Sequence, residues 1–189
     1  MAVPLSPLPV CRFAGLLAGS EDELAAARYE LTQWYGKIDD VSDILPFTFT
    51  EYYKDEMGHN LLRQWVRFEA LFSPEHLAKC KLETNMAETL LARQFREKNP
   101  TARNVQRPIN IDPGYVHRYK VILATTKDHS HRVYLTEGIY GEVTLHWSQN
   151  VWTPWPWTYA DYQTPLAKDF FTKARTAYLD QLQKVAAGK

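Results

Sequence analysis

The sequence predicts an α+β fold with a mostly antiparallel sheet. Three segments far apart in the chain repeat apolar residues at helical spacing. The segments between them alternate apolar and polar side chains, which is typical of strands with one buried face. The chain has 189 residues, of which 45% are hydrophobic, so a substantial core can form. We therefore predict a single domain over residues 1–189.

The first half of the chain is predicted to contain two helices and three strands. Ser20 and Glu23 form a capping box, so the first helix begins there and ends near Gly36. Ser73 and Pro74 mark the start of the second helix, which continues to about residue 96. The other predicted elements are an extended, proline-rich segment at 1–9 and strands at 10–17, 44–53 and 61–72.

The second half is predicted to add four strands and a last helix. The predicted strands are 108–112, 118–126, 131–136 and 141–147, with a sharp turn at Pro113-Gly114. The helix begins at Pro165 and frays at 186–189. In residues 10–112, the order strand, helix, strand, strand, helix, strand is that of a ferredoxin-like β-α-β-β-α-β core. The further strands and the C-terminal helix would extend this core.

Composition argues against several classes of protein. No apolar run approaches the roughly 20 residues that span a bilayer, and the start of the chain has no secretory signal pattern. Two cysteines are too few for a disulfide framework. These features predict a cytoplasmic protein with no membrane partner.

The charge of the chain is balanced overall but unevenly distributed. Residues 1–95 hold 9 basic and 14 acidic side chains, whereas residues 96–189 hold 13 and 8. The basic excess is concentrated between Arg93 and Arg132. This stretch is either a site for a phosphate, a nucleotide or an RNA backbone, or a solvated loop and strand edge protected by cations.

Sequence motifs for several well-defined chemistries are absent. The chain has no phosphate-binding P-loop, no G-x-G-x-x-G dinucleotide motif, no C-x-x-C pair and no G-x-S-x-G nucleophile turn. P-loop GTPase chemistry is therefore not predicted.

The strand that ends at Asp112 carries the first candidate site residues. Asn110 and Asp112 alternate with isoleucines, so they point to the opposite face of the strand. Close to Arg107 and Arg118, Asp112 is a candidate general base or ligand of a divalent metal ion. Its carboxylate could instead accept backbone amides in an Asx-turn. Asn110 and Tyr115, on either side of the predicted turn, are candidate ligand-binding residues.

The segment from 124 to 132 carries the second candidate set. Its hydroxyl, imidazole and cationic side chains suit a phosphate group, and the candidates are Thr125, Lys127, Asp128, His131 and Arg132. His129 and His131 could also join Asp112 or Glu142 around a divalent ion. The alternative is an ordinary polar hairpin turn.

Three further features complete the predicted cleft. Glu142 alternates with apolar residues in its strand and is a candidate acid or base if that face is concave, whereas on an open face it would be solvated. Glu51, in the polar segment 48–58, would belong to an acidic wall on the opposite side. Four tryptophans between 147 and 157 form either a stacking platform for a base or sugar or a lid over the core.

Several ordered motifs also resemble those of a known family. They are Pro46-Phe47-Thr48-Phe49-Thr50-Glu51-Tyr52-Tyr53, Glu56-Met57-Gly58, Thr84-Asn85, Asn110-Ile111-Asp112-Pro113-Gly114-Tyr115, Ala124-Thr125-Thr126-Lys127-Asp128, His131-Arg132-Val133-Tyr134-Leu135, Gly138-Ile139, Glu142-Val143-Thr144-Leu145 and Trp157-Thr158-Tyr159-Ala160-Asp161-Tyr162. Together they resemble the prokaryotic family catalogued as domain of unknown function 4416, over nearly the whole chain. That family has no established activity, so the resemblance assigns no catalytic residue.

The candidate residues lead to two functional hypotheses. The first is an enzyme or binder for a small anionic ligand, phosphorylated or nucleotide-like, in which Lys127, His131 and Arg132 hold the anion. Asp112 or Glu142 would then act as acid or base, or would hold a divalent metal ion. The second is a non-catalytic RNA-binding or protein-interaction module that uses the basic stretch and the aromatic residues.

Overall fold

A computed structural model describes residues 3–98 and 105–187, and its main element is an antiparallel sheet. The strands in the described residues are β1 (Val10–Ala18), β2 (Ile38–Val41), β3 (Leu45–Pro46), β4 (Leu62–Phe72), β5 (Ile109–His117), β6 (Lys120–Thr125), β7 (Val133–Thr136), β8 (Ile139–Ser148) and β9 (Val151–Pro154). The helices are α1 (Glu21–Tyr35), α2 (Lys54–Met57), α3 (Leu77–Lys98) and α4 (Pro165–Ala187). The predicted α+β class, with a mostly antiparallel sheet and a C-terminal helix, is confirmed.

The sheet lies between two layers of helices. Its strands follow the order β2-β4-β1-β5-β6-β8-β7, with β3 beside β4 and β9 beside β8. On one face, Leu24 of α1 and Leu91 of α3 belong to the same apolar cluster as Ile111 of β5. On the other face, Phe171 of α4 packs against Phe13 of β1 with ring centroids 4.9 Å apart. Because both faces are covered, β1 is buried along almost its whole length.

The starts of α1 and α4 follow from local capping. Ser20 Oγ accepts the Glu23 N–H at 3.2 Å, and the Glu23 carboxylate accepts the Gly19 N–H at 2.7 Å. Thr164 Oγ1 accepts the Ala167 N–H at 3.2 Å before α4. Of the tail at 186–189 that is predicted to fray, residues 186–187 belong to α4, and 188–189 lie outside the described residues. None of the described helices is long and apolar enough to cross a membrane.

The predicted strand at 44–53 is mostly wrong. Within this segment, only Leu45–Pro46 pairs with β4. The strand Ile38–Val41, which was not predicted, pairs with β4 further along the same edge. Thr50 Oγ1 then accepts the Tyr52 N–H at 3.1 Å, and the short helix α2 follows. The chain therefore leaves the sheet only after Phe47, whose N–H donates to the Leu61 carbonyl oxygen at 2.7 Å, and the Thr50 hydroxyl stabilises the turn that follows.

The predicted turn at Pro113-Gly114 is also wrong, because both residues lie inside β5. Ile111 directs its N–H and C=O away from β1, towards side chains of α3. Pro113, two residues on, directs its nitrogen the same way and has no N–H to donate. The ladder between β5 and β6 therefore ends at the pair Gly114 and Leu123, and the two strands diverge beyond it.

Candidate functional site

A cavity of about 470 Å³ lies where β5 and β6 diverge. Gly15, Trp65 and Asp112 are register partners across β1, β4 and β5, so their side-chain positions share one face of the sheet. Arg63 and Asn110 lie in the next row on that face. The cavity is therefore built on the central strands, and its volume is in the range of small-molecule sites.

One wall of the cavity is aromatic. Its six rings come from the segment after β3 and from the turn before α4, and they are Phe47, Phe49, Tyr52, Tyr53, Tyr159 and Tyr162. Burial raises the pKa of Tyr159 to about 12, and it raises the pKa of Tyr53 as well. Both phenols are therefore neutral hydrogen-bonding groups at physiological pH.

Side chains of α3 occupy the space that β6 leaves open beside β5. Glu88 Oε1 accepts the Ile111 N–H at 2.7 Å, and Lys81 Nζ donates to the Ile111 carbonyl oxygen at 2.9 Å. These two side chains supply the partners that a paired strand would otherwise provide. Lys81 was not identified from the sequence, although its spacing of two helical turns from Glu88 places both residues on one face of α3.

Asp112 is held as a carboxylate at the floor of the cavity. Burial favours a higher pKa, but the charges of Lys81 and Arg63 and hydrogen bonds from Asn110 and Lys81 outweigh it, so the pKa of Asp112 is lowered. Asn110 Nδ2 donates to Asp112 Oδ2 at 2.6 Å, and Lys81 Nζ donates to Oδ1 at 3.1 Å. These side chains, rather than the backbone amides of an Asx-turn, are its partners. A carboxylate with a lowered pKa suits hydrogen-bond acceptance better than proton abstraction.

We expect Asp112→Asn to lower stability at neutral pH and to have a smaller effect in acid. Because the folded-state pKa is lowered, ionised Asp112 stabilises the fold above its unfolded pKa of about 3.9. This contribution is lost as the pH falls through the folded-state pKa. Urea titrations should therefore show a loss of about 2 kcal/mol at neutral pH, the size of hydrogen bonds to a charged group, that shrinks as the pH falls below the unfolded pKa of about 3.9.

The exposed carboxylate Asp169, which pairs with Lys173 on α4, provides the control. Asp169→Asn should change the free energy of unfolding by less than about 0.5 kcal/mol at either pH. A loss for Asp112→Asn that did not vary with pH would contradict the assigned pKa direction.

Glu142 of β8 also lines the cavity and is held by two basic residues. Arg132 Nε lies 2.8 Å from Glu142 Oε2, and His131 Nε2 lies 3.3 Å from the same oxygen. His131 in turn contacts His129, with 3.0 Å between their Nδ1 atoms. Arg132 and His131 therefore hold the Glu142 carboxylate in position, but they do not themselves line the cavity.

The residues predicted from the sequence occupy three kinds of position. Those that line the cavity are Asn110, Asp112, Thr125, Lys127 and Glu142. Those that contact Glu142 are His131 and Arg132, and those that do neither are Tyr115, Asp128 and Glu51.

The last three residues are separated from the cavity for different reasons. Tyr115 faces the opposite side of the sheet and packs against Phe72, with ring centroids 6.5 Å apart, because β5 continues through Pro113-Gly114. Asp128 is exposed in the loop after β6. Glu51 is exposed and pairs with Lys54 at 3.3 Å.

The sequence reasoning missed a buried ion pair at the inner end of the cavity. Arg63 Nε lies 2.8 Å from Asp161 Oδ2, and the two side chains are only 5% and 3% exposed. Arg63 falls on the same face of β4 as Trp65. A charged residue among apolar positions of a buried strand was therefore the available signal.

The histidines proposed as metal ligands contact each other and Glu142 instead of surrounding a shared point with Asp112. Within 3–98 and 105–187, no group of three or more His, Cys, Asp or Glu side chains is arranged to hold a metal ion.

The tryptophan-rich segment divides between core and surface. Trp152 is buried in the cluster beneath α4, as expected for a lid. Trp155 and Trp157 are exposed and stack on each other, with centroids 5.4 Å apart and planes 8° apart. His131 stacks on Trp157 at 5.2 Å. Neither exposed tryptophan lines the cavity.

Comparison with known proteins supports one assignment. No curated protein and no solved structure gave a significant match. Residues 9–178 match a family described as Domain of unknown function (DUF4416), which confirms the resemblance found in the sequence. The chain belongs to the DUF4416 family.

Proposed function

We propose that the protein binds a small anionic organic molecule, phosphorylated or nucleotide-like, in this cavity, as an enzyme or as a binder. Lys127 carries the proposal. Of the cations that line the cavity, Arg63 and Lys81 lie 2.8 Å and 3.1 Å from carboxylates. Arg107 lies 2.8 Å from Glu88. Lys127 has no carboxylate partner among the described residues, so its charge is available to a ligand.

The surroundings of Lys127 support an anion at the mouth of the cavity. Its Nζ donates to the Tyr52 hydroxyl at 2.5 Å and lies 4.0 Å from the centre of that ring. Both side chains are exposed, so a ligand can reach the ammonium group. Thr125 and Thr126 add two hydroxyl groups to the same part of the lining. Hydroxyl and ammonium groups together suit a phosphate or carboxylate.

The carboxylates Asp112 and Glu142 support a ligand that spans the cavity. Both line the cavity, one paired with Lys81 and the other with Arg132. A molecule between them would lie within reach of both groups, as acid–base chemistry requires. Because the pKa of Asp112 is lowered, Asp112 would accept hydrogen bonds from the ligand in this scheme.

The proposal predicts that a small anion stabilises the fold through Lys127. A thermal-shift screen would use nucleoside monophosphates, sugar phosphates, dicarboxylates and inorganic phosphate. A ligand present at about a hundred times its Kd stabilises the native state by about 2.7 kcal/mol. We expect Lys127→Met to weaken binding of the stabilising anion by about tenfold, because it removes the unpaired charge.

Lys184→Met, on the exposed last turns of α4, is the matched control and should bind as the wild type does. Stabilisation that Lys127→Met leaves unchanged, or the absence of any stabilising anion, would refute the proposal.

The alternative, an RNA-binding or protein-interaction module, rests on the basic stretch and the aromatic residues between 152 and 162. Arg93 and Arg132 lie 2.7 Å and 2.8 Å from Glu97 and Glu142, which reduces the positive charge available to RNA phosphates. Arg103 lies outside the described residues. Filter binding at two salt concentrations distinguishes the hypotheses, since phosphate contacts give a steep salt dependence.

For the fold, we propose a ferredoxin-like core in one continuous domain. The antiparallel order β2-β4-β1-β5 and the packing of α1 and α3 on one face support this core. The sheet continues without a break to β7, which supports a single domain.

A further inference from the structure

We infer that the ligand carries a planar aromatic ring, which packs against Phe49, Tyr52 and Tyr159 beside the anionic group bound at Lys127. This inference rests on the proposed function and specifies the ligand class. The ligand would be an aryl phosphate, a nucleotide or a similar anion with an aromatic ring, rather than a sugar phosphate or a dicarboxylate.

Three of the rings that line the cavity are open to a ligand. Phe49, Tyr52 and Tyr159 are 39%, 60% and 43% exposed, whereas Phe47 and Tyr162 are only 9% and 2% exposed. The aromatic wall therefore has a covered part and an accessible part, and the accessible rings are the first three. Removing ring surface from water is favourable, so the accessible rings favour a ligand that can cover them.

The accessible rings are held by existing contacts but are not stacked. Phe49 and Tyr52 each meet one neighbouring ring edge-on, with centroids 5.6 Å and 5.1 Å apart. Tyr159 is tilted by 47° against the ring of Tyr162. A planar ring from a ligand can therefore stack on this part of the wall without displacing an existing stack. Because the rings are already held, they lose little conformational entropy when the ligand binds.

Hydrogen bonds connect the two accessible tyrosines to the cation of the site. Lys127 Nζ donates to the Tyr52 hydroxyl at 2.5 Å, and Arg132 Nη1 donates to the Lys127 carbonyl oxygen at 3.0 Å. Arg132 Nη2 donates to the Tyr159 hydroxyl at 2.7 Å. Both phenol oxygens therefore already accept a hydrogen bond, and the rings mainly offer aromatic surface. Since an anion at Lys127 would lie beside these rings, the ring of the ligand must be attached close to its charged group.

The other exposed aromatic stack does not belong to the cavity. Trp155 and Trp157 stack on each other, and His131 stacks on Trp157, but none of the three residues lines the cavity. A ring bound on that stack would lie outside the lining that contains Lys127. The accessible rings of the cavity are therefore the ones that can act together with the anion site.

The test is calorimetric titration with two pairs of phosphomonoesters, in each of which one member carries an aromatic ring. Phenyl phosphate is compared with cyclohexyl phosphate, and adenosine monophosphate is compared with ribose 5-phosphate. At pH 8 all four are mainly dianions, because the second pKa of a phosphate ester is about 6. We expect the wild type to bind the aromatic member of at least one pair about tenfold more tightly. A preference in the first pair alone indicates an aryl anion, and a preference in the second pair alone indicates a nucleotide.

Phe49→Ala should weaken binding of the aromatic member and so reduce the preference to less than about threefold, because it removes one accessible ring. Lys127→Met should weaken binding of both members. Tyr134→Ala is the matched control, because Tyr134 is 58% exposed, meets Tyr140 edge-on at 5.5 Å and does not line the cavity. It should bind both members as the wild type does.

The outcomes separate this inference from the proposed function. Equal affinities within both pairs, or a preference that Phe49→Ala leaves unchanged, would overturn the aromatic recognition and leave the anion site intact. Binding that Lys127→Met leaves unchanged would refute the proposed anion site instead. If no probe binds, both proposals fail.

Discussion

Gly114→Ala is expected to lower the free energy of unfolding by about 3 kcal/mol or more. A Cβ atom at Gly114 would lie 2.3 Å from the Ile122 carbonyl oxygen and 2.5 Å from Cζ of Phe13. Ile122 belongs to the paired strand β6, and Phe13 is fully buried, so neither atom can move away easily. Equilibrium urea denaturation would measure the loss.

Gly141→Ala provides the comparison within the same sheet. Its Cβ atom would lie 3.4 Å from Leu135, a flexible side chain that is 42% exposed. The loss there should be less than about 1 kcal/mol. Similar losses for the two variants would show that the close approach of β5 and β6 at Gly114 is not a tight constraint.

Glu88→Ala is expected to cost about 3–5 kcal/mol, because it leaves buried partners without their acceptor. Glu88 accepts the Ile111 N–H, pairs with Arg107 at 2.8 Å and lies 4.0 Å from Lys81. The variant would therefore leave the Ile111 N–H, Arg107 and Lys81 without the Glu88 carboxylate at the same time. Alanine favours a helix, so the loss cannot be attributed to the helical propensity of the new residue.

Glu97→Ala, on the same helix, is the matched control. Glu97 pairs with Arg93 at 2.7 Å, but both side chains are mostly exposed, so the loss should be about 0.5 kcal/mol or less. Urea titrations of both variants would test the difference. If Glu88→Ala were as stable as Glu97→Ala, Glu88 would not replace a strand partner for β5.

These two predictions concern the same structural feature, the divergence of β5 from β6. At Gly114, β5 is still paired with β6. Beyond that point, Glu88 and Lys81 form hydrogen bonds with the Ile111 backbone that β6 no longer reaches. The cavity opens between them. Its position therefore depends on residues whose first role is to stabilise the sheet.

Local signals in the sequence predicted much of the secondary structure. The caps at Ser20 and Thr164 involve atoms three residues apart, so they depend little on the rest of the fold. The alternation of side chains along a strand is also a local property, and it correctly predicted that Asn110 and Asp112 face the side of the sheet opposite Ile111. Pro113-Gly114 misled because a proline-glycine pair usually turns the chain, whereas here an open strand edge accommodates the proline.

In the candidate site, too, some residues could be predicted from local sequence patterns and others could not. Asp112, Glu142 and Lys127 were identified because polar side chains at strand ends and in loops are recognisable one by one. Arg63, Lys81 and Tyr162 were missed because each follows or interrupts an apolar pattern, and their partners are distant in the chain. Arg63 pairs with Asp161, and Lys81 pairs with Asp112, across separations that no local pattern can report.

The sequence alone determined the α+β class, the two helix starts capped by Ser20 and Thr164, and the family. These properties depend on short-range periodicity, on hydrogen bonds within one turn and on ordered motifs. Only the tertiary structure decided where the cavity lies and which of the cations that line it are already paired. Those properties depend on strand register and on the point where two strands separate, and both are set by packing between distant segments.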